Sequence, residues 1–407
     1  MALLTYSTKP RGGVVHTLAL AEALQALGET VQVLALGDPA AGFFRPVHVP
    51  VSIVPGPAGG GTLEEKVAAS IDALTTALQD VAADVLHAQD CISARAAARV
   101  RDAGAPVTVV RTVHHVDDFT SPVLMDCQRQ AILEPDRVLT VSEVWRRTLV
   151  EDYGVHADVV PNGVDVERYA SASPSRAAEL RQSVGAADRP LLLSVGGIEP
   201  RKGSDTLVRA LSLLHQEGVR PVLAVVGGHS FQDHRAYKEA VLAEIPGLGL
   251  ELGTDVVSVG TVADEDMPAW YAAADVLAFP SINEGFGLAV VEAMSAGVPV
   301  VTSDLPVFRE YLVPDQDALL VPVGDVTALA AALRSALFDE AVRADLVAAG
   351  ATVARRFTWQ RSAARHRDVY GGISPGSTGI DAGAAPAAAP SGAPLVVGGH
   401  LGLSRRW

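Results

Sequence analysis

Two carboxylates with seven residues between them, Glu284 and Glu292, stand on either side of a glycine turn, Gly285-Phe286-Gly287. The run before them, Ala274-Asp275-Val276-Leu277-Ala278-Phe279, reads as a buried strand. After the turn, Leu288 to Ala296 carries apolar residues on every face, as a helix inside an α/β layer does. A helix that starts beside Gly287 aims its unpaired N–H groups at whatever lies above the sheet, which makes an anion site. Glu292 would then lie roughly 8 Å farther along, at about 1.5 Å rise per residue. An anion-accepting turn with a hydroxyl-binding carboxylate on each side suits a ligand that carries a diphosphate between two sugars, a sugar nucleotide. A glycosidase acid and nucleophile would have to face each other across one bond, and a loop-and-helix placement does not favour that. Two surface charges on an ordinary βα unit are the plain alternative. Against it, so glycine-rich a loop is costly unless the backbone must approach a ligand.

A departing diphosphate also needs fixed positive charge. The chain has 32 Lys and Arg against 47 Asp and Glu, a formal net charge of −15, so a cation in a glycine turn is informative. Arg201-Lys202-Gly203 closes such a turn, after the strand Leu191 to Val195 and the pair Gly196-Gly197. Lys202 there would face a cleft. His114-His115-Val116-Asp117-Asp118 is the segment with metal-ligand chemistry. Adjacent histidines on extended chain point opposite ways and no helix-spaced third ligand follows, so no metal is expected. The charge then falls to the helix N-terminus and to Lys202.

The elements that must hold these residues repeat one pattern. Leu3 to Tyr6 is a strand, Lys9-Pro10-Arg11-Gly12-Gly13 a turn, and Val14 to Leu27 a helix ended by Gly28. Strands follow at Val31 to Leu36, near Val47 to Val49, at Asp84 to His87, at Val107 to Val113 and at Arg137 to Val141, with helices at Leu63 to Val81 and Ile92 to Ala103. After Pro161-Asn162-Gly163, read as a structural pivot, the pattern restarts with strands at Leu191 to Val195, Val222 to Val226, Val256 to Val259 and Ala274 to Phe279. This predicts an α/β protein with two Rossmann-like, doubly wound domains facing across a cleft, over residues 1–168 and 169–355. A final helix is expected over 356–370, with Phe357 and Trp359 as anchors on the first domain, then a disordered Ala/Gly/Pro-rich tail over 371–407.

At 407 residues the chain can bury two cores. Its acidity argues against nucleic acid as a partner. Two cysteines, Cys91 and Cys127, in no zinc spacing point to a reducing, cytoplasmic setting. The N-terminal apolar run is too short for a signal peptide, and no run approaches the ~18 apolar residues of a membrane span. No stable membrane anchor is expected, and transient contact with a membrane stays compatible with the chain.

Glu284 to Glu292, continued by Ala293-Met294-Ser295-Ala296-Gly297-Val298-Pro299, resembles the signature of the family 4 glycosyltransferases, a retaining group with the GT-B fold. The resemblance extends over most of residues 2 to 370. It implies a hexosyl transfer, with retention, from a nucleotide diphosphate sugar to a hydroxyl of a small-molecule or glycan acceptor, with no cofactor and no metal. It also implies roles. Glu292 would hold the nucleotide ribose and Glu284 the transferred sugar, with the backbone of Gly285, Phe286, Gly287 and Leu288 on sugar and phosphate. His114 would stand beside the donor sugar, Gly13 would approach diphosphate or acceptor, and Lys202 would bind the diphosphate. Backbone around Gly260, with Met267, would meet the base. The family usually places Arg where this chain has Gly197, so half of a cationic clamp is replaced; Arg201 or Arg11 could supply the missing charge. A non-catalytic sugar-nucleotide binder is the alternative that this change motivates. An NAD-dependent oxidoreductase would need a full G-x-G-x-x-G, which neither glycine pair supplies.

Overall fold

The computed structural model describes residues 1–57, 60–228 and 234–372. The tail expected beyond the last helix lies, from residue 373, outside the described residues. In the first half, β1 (Ala2–Thr5), β2 (Gln32–Gly37), β3 (Val51–Pro55), β4 (Val85–Ala88), β5 (Thr108–Val113), β6 (Arg137–Thr140) and β7 (Asp158–Val159) make one sheet. It runs in the order β3-β2-β1-β4-β5-β6-β7, every pair parallel. Around it lie α1 (Gly12–Ala26), α2 (Leu63–Leu78), α3 (Cys91–Asp102), α4 (Pro122–Leu133) and α5 (Glu143–Tyr153). The short α6 (Val166–Ala170) and α7 (Pro174–Ser183) lead to the second sheet.

That sheet holds β8 (Leu191–Val195), β9 (Val222–Val226), β10 (Val256–Gly260), β11 (Val276–Phe279), β12 (Val300–Ser303) and β13 (Leu319–Val321), in the order β10-β9-β8-β11-β12-β13. Its helices are α8 (Ser204–Gln216), α9 (Arg235–Glu244), α10 (Met267–Ala273), α11 (Leu288–Ser295), α12 (Pro306–Arg309), α13 (Val326–Phe338) and α14 (Glu340–Ala354), and α15 (Trp359–Gly371) ends the described chain. In both sheets the order reverses beside the first strand, between β1 and β4 and between β8 and β11. Connections that leave the carboxyl ends of these strands meet at the reversal, where open α/β sheets bind ligands.

Helices on both faces explain the apolar strands: Leu191, Leu192 and Leu193 of β8 and Val222, Leu223 and Ala224 of β9 are fully buried. The strand expected near Val47 to Val49 forms instead at Val51–Pro55. Pro50 has no N–H to give, and its carbonyl instead accepts Val33 N–H at 2.9 Å, which sets the parallel register Val33↔Val51. The last helix does return to the first sheet. Trp359, Ala363 and Tyr370 pack there with Val14, Leu18 and Leu24 of α1. Phe357, expected as a second anchor, instead turns its ring into the second core against Phe286 and Tyr311, with ring centroids 5.3 Å from each. Gly163 is pressed against the Thr358–Trp359 backbone, where a Cβ would collide with Trp359 N.

Candidate active site

The turn after β8 brings two cations onto the loop after β11. Lys202 Nζ donates to Glu284 Oε1 at 2.7 Å, and Arg201 Nη1 donates to the same oxygen at 2.8 Å and to the Asn283 carbonyl at 3.2 Å. Ile282 N–H returns a bond to the Arg201 carbonyl at 2.9 Å, so the two loops are stitched together. Lys202 and Glu284 are both buried, and the ammonium sits 4.3 Å from the centre of the Phe279 ring. Burial alone would raise the Glu284 carboxyl; Arg201 and Lys202 outweigh it and hold the group down at about 2. Burial and the charge of Arg201 together lower Lys202. Two cations and one carboxylate leave the set with a net charge of +1.

Gly287, at φ 89°, caps α11, and a Cβ there would meet the Phe308 ring at 2.5 Å. The helix therefore starts at Leu288. The Phe286 ring packs inward: it stacks on Tyr311 at 5.3 Å, and Tyr311 Oη donates to the Phe286 carbonyl at 2.8 Å. This aromatic packing fixes the turn from behind. Glu292 stands apart from the cationic set. Its Oε2 accepts the Tyr271 hydroxyl at 2.6 Å and it also takes the Tyr169 hydroxyl, while burial keeps its pKa raised. Gly260 ends β10 at φ 81°, and its carbonyl accepts Gly227 N–H at 2.8 Å.

The first sheet contributes His114 and Gly13, which meet: a Cβ on Gly13 would lie 3.8 Å from the His114 ring. Burial holds His114 well below the usual imidazole range, so the ring is neutral. Its Nε2 lies 3.0 Å from Gln89 Oε1. Gln89 Nε2 lies 3.2 Å from His87 Nε2, and His87 Nδ1 lies 2.6 Å from the Tyr370 hydroxyl of α15. The His16 ring stands edge-on to His114 at 4.8 Å, its Nδ1 held by Asn162 Oδ1 at 2.8 Å. His115 turns the other way, to Asp117 at 3.1 Å, as the alternation of extended chain demands. Among the described residues no group of three or more His, Cys, Asp or Glu is placed to hold a metal ion.

The two halves touch at this site. Gly285 lies so close to the His114 carbonyl that a Cβ would collide with it. Trp145 of α5 donates its indole N–H to the Glu284 carbonyl at 3.0 Å. Glu310, after α12, accepts the Glu143 and Val144 N–H groups at 2.9 and 2.7 Å and so caps α5 from the second half. Trp145, Glu310, Tyr169, Tyr271, Gln89 and His16 carry no motif in the chain, and folding alone assembles them.

Gly197 has a structural cause. It adopts φ 79°, next to Gly196 at φ 122°, and a Cβ on it would lie 2.6 Å from the Gly228 carbonyl. A Cβ on Gly227 would lie 2.5 Å from Gly197 N, so the turns after β8 and β9 interlock through glycine. A guanidinium cannot start from this position without moving the neighbouring turn, whereas Arg201 already lies on Glu284. Gly197→Ala is therefore expected to cost about 1–3 kcal/mol of stability through backbone strain and the clash. A urea midpoint equal to that of the parent would show that the turn relaxes freely, contrary to this account.

Twin parallel sheets with their reversal points at one shared site are the architecture of the GT-B fold. Residues 10–168 match the family model described as Glycosyltransferase Family 4, and residues 176–353 that of Glycosyl transferases group 1. A phosphatidyl-myo-inositol mannosyltransferase from Mycobacterium leprae is 32% identical over 374 residues, covering 90% of this chain and 94% of the relative. A D-inositol 3-phosphate glycosyltransferase from Xylanimonas cellulosilytica is 36% identical over 252 residues, covering 60% of this chain and 58% of that relative's length. Among solved structures, Anabaena HepE in complex with UDP and glucose superposes with a TM-score of 0.78 at 23% identity, over 92% of this chain and all of the other (100%). Sucrose-phosphate synthase from Thermosynechococcus elongatus gives 0.75 at 22% identity, over 91% and 98%. The chain belongs to the family 4, group 1 glycosyltransferases.

Proposed function

We propose that the protein moves a hexosyl group from a nucleotide diphosphate sugar to an acceptor hydroxyl, with retention and without a metal ion. The observation that carries this reading is the Arg201–Lys202–Glu284 set, Lys202 and Glu284 buried, with Glu284 in the loop that leads into α11. Lys202 and Arg201 offer preorganised positive charge to a diphosphate that gains negative charge as its bond to the sugar breaks. Backbone of Gly285, Phe286, Gly287 and Leu288 adds its N–H groups, Glu284 takes hydroxyls of the transferred sugar, and Glu292 takes those of the ribose. The base lies toward Gly260 and Met267, and His114 and Gly13 border the sugar from the first sheet. The acceptor oxygen bonds to the anomeric carbon on the face from which the phosphate oxygen leaves, and its proton passes to that phosphate. Glu284 is engaged by two cations, which suits sugar binding better than nucleophilic attack. Contact between the halves excludes water from the reacting centre. Free Cys91 and Cys127 fit a cytoplasmic setting, and among the described residues no helix is long and apolar enough to cross a membrane.

A panel of UDP-, GDP- and ADP-sugars in EDTA tests the reading. One donor should raise the melting temperature by binding the native state, Glu292→Ala should weaken that shift, and transfer should proceed under chelation. No shift with any donor at millimolar level would remove the donor assignment. Activity lost to EDTA and restored by manganese or magnesium would remove the metal-free mechanism.

A further inference from the structure

The carboxylate of Glu292 is held by two phenols rather than by a cation. Tyr271, on α10, is fully buried and donates its hydroxyl to Glu292 Oε2 at 2.6 Å. Tyr169, on α6 and buried as well, gives a second hydroxyl to the same carboxylate. The two rings meet edge to face, with centroids 5.4 Å apart. Arg168, next to Tyr169 in the chain, is engaged elsewhere. Its Nη2 donates to the Asp264 carbonyl at 2.5 Å and to Asp264 Oδ2 at 2.7 Å, which ties α6 to the turn before α10. Among the described residues no ion pair reaches Glu292, and the glutamate itself keeps some exposed surface.

Buried phenols need acceptors, and a backbone carbonyl or a side-chain amide would serve them as well. A carboxylate in that place loses hydration without a counter-charge, a cost that a purely structural partner would not carry. What the carboxylate adds is acceptor capacity. It offers about four lone-pair sites, and two hydroxyls leave the rest able only to accept. A ligand that meets it must therefore bring O–H or N–H donors. The phenols fix its direction and leave its charge uncancelled, so a bond from a ligand hydroxyl is charge-assisted, about twice as strong as a neutral one.

We propose that Tyr271 and Tyr169 are positioning residues of the donor site, which aim Glu292 at a vicinal diol and so select a ribonucleoside diphosphate sugar over its 2′-deoxyribonucleoside counterpart. This deepens the transferase reading and rests on its placing of Glu292 at the ribose. Tyr169 lies on the segment that follows the Pro161-Asn162-Gly163 turn, so the chain that joins the two sheets itself builds part of the ribose subsite.

The test titrates the full chain by calorimetry with UDP, GDP or ADP, whichever raises its melting temperature, and with the 2′-deoxy form of the same nucleotide. The parent should prefer the ribonucleotide about tenfold, because a site built to bond a hydroxyl is left unpaired by the analogue that lacks it. Glu292→Ala should abolish the preference. Tyr271→Phe removes one oxygen and keeps the ring. It should weaken the ribonucleotide about fivefold and leave the deoxynucleotide within twofold, so that the preference falls to about twofold. Tyr169→Phe should shift the preference the same way, and it decides the matter if Tyr271→Phe does not fold. A loss of structure alone would weaken both nucleotides equally, and that result in both variants overturns the positioning role. An unchanged preference in both variants, or a parent that binds both nucleotides equally, also overturns it and leaves the transferase reading standing. A chain that binds no nucleotide overturns the transferase reading and the positioning role with it.

Discussion

Lys202→Ala should lower the transfer rate at saturating donor about 100-fold, the loss of roughly 3 kcal/mol that follows removal of one preorganised stabiliser of developing charge. The geometry makes Lys202 hard to replace. Its ammonium is fixed by Glu284 at 2.7 Å and by the Phe279 ring, and a Cβ on Gly196 would collide with its side chain. Its position therefore needs no adjustment as the leaving group departs. Lys202→Met keeps the bulk of the side chain and should lose as much activity, which separates lost charge from a cavity. Arg201→Ala should fall at least tenfold if Arg201 is the second cation of the clamp. Should Arg201→Ala stay within twofold of the parent while Arg11→Ala collapses, the second charge comes from the first sheet instead. Lys202→Met retaining full activity would end the role given to Lys202.

Acid should unfold the protein early. Burial, with His366 as neighbour, lowers His16 to about 3; burial lowers His366 to about 4, and His87 and His114 move the same way. An unfolded chain protonates its histidines near pH 6.5, so below that pH the unfolded state binds protons that the native state refuses. Stability is unaffected above pH 6.5, falls as pH drops below it, and stops falling from each group once its folded pKa is passed. At pH 5 each of His16 and His366 should cost about 2 kcal/mol, so the two together remove about 4 kcal/mol, a large part of an ordinary folding free energy. Urea midpoints at pH 7.5, 6.5, 5.5 and 5.0 measure this, and His366→Gln should flatten the slope. A midpoint constant from pH 7.5 to 5.0 would show that these imidazoles are not held neutral.

What could be read from the chain was what short-range chemistry decides. Gly287 at the head of α11, the apolar run of β11 and Lys202 after a glycine pair all announce themselves within a few residues. Glu284 and Lys202 could be chosen for chemistry, though their direct bond could not, since it joins positions 82 residues apart. The bridge from Trp145 to the Glu284 carbonyl spans 139 residues, and Glu310 reaches back 167 to Glu143. Neither has any local signal. The part given to Phe286 is its backbone's, and where its ring goes, onto Tyr311 and Phe357, has no local signal, since a turn aromatic looks the same in sequence whichever way it faces. Gly197 was read as a missing arginine. Only the approach of the turn after β9 shows that the backbone itself occupies the space.

The chain of contacts from His114 through Gln89 and His87 to Tyr370 has a consequence for how the protein is made. A ribosome delivers β1, α1 and β4 first, and such a domain generally begins to fold as it emerges. Yet the hydroxyl that ends this chain of contacts belongs to residue 370, and Trp359 and Ala363 fill the same face beside α1. Until α15 arrives, His87 Nδ1 lacks the Tyr370 hydroxyl and the core that α1 shares with Trp359, Ala363 and Tyr370 stays incomplete. The half that is synthesised first is thus the last to be completed, and a nascent chain stalled before α15 would expose apolar surface to chaperones while its second sheet was already whole.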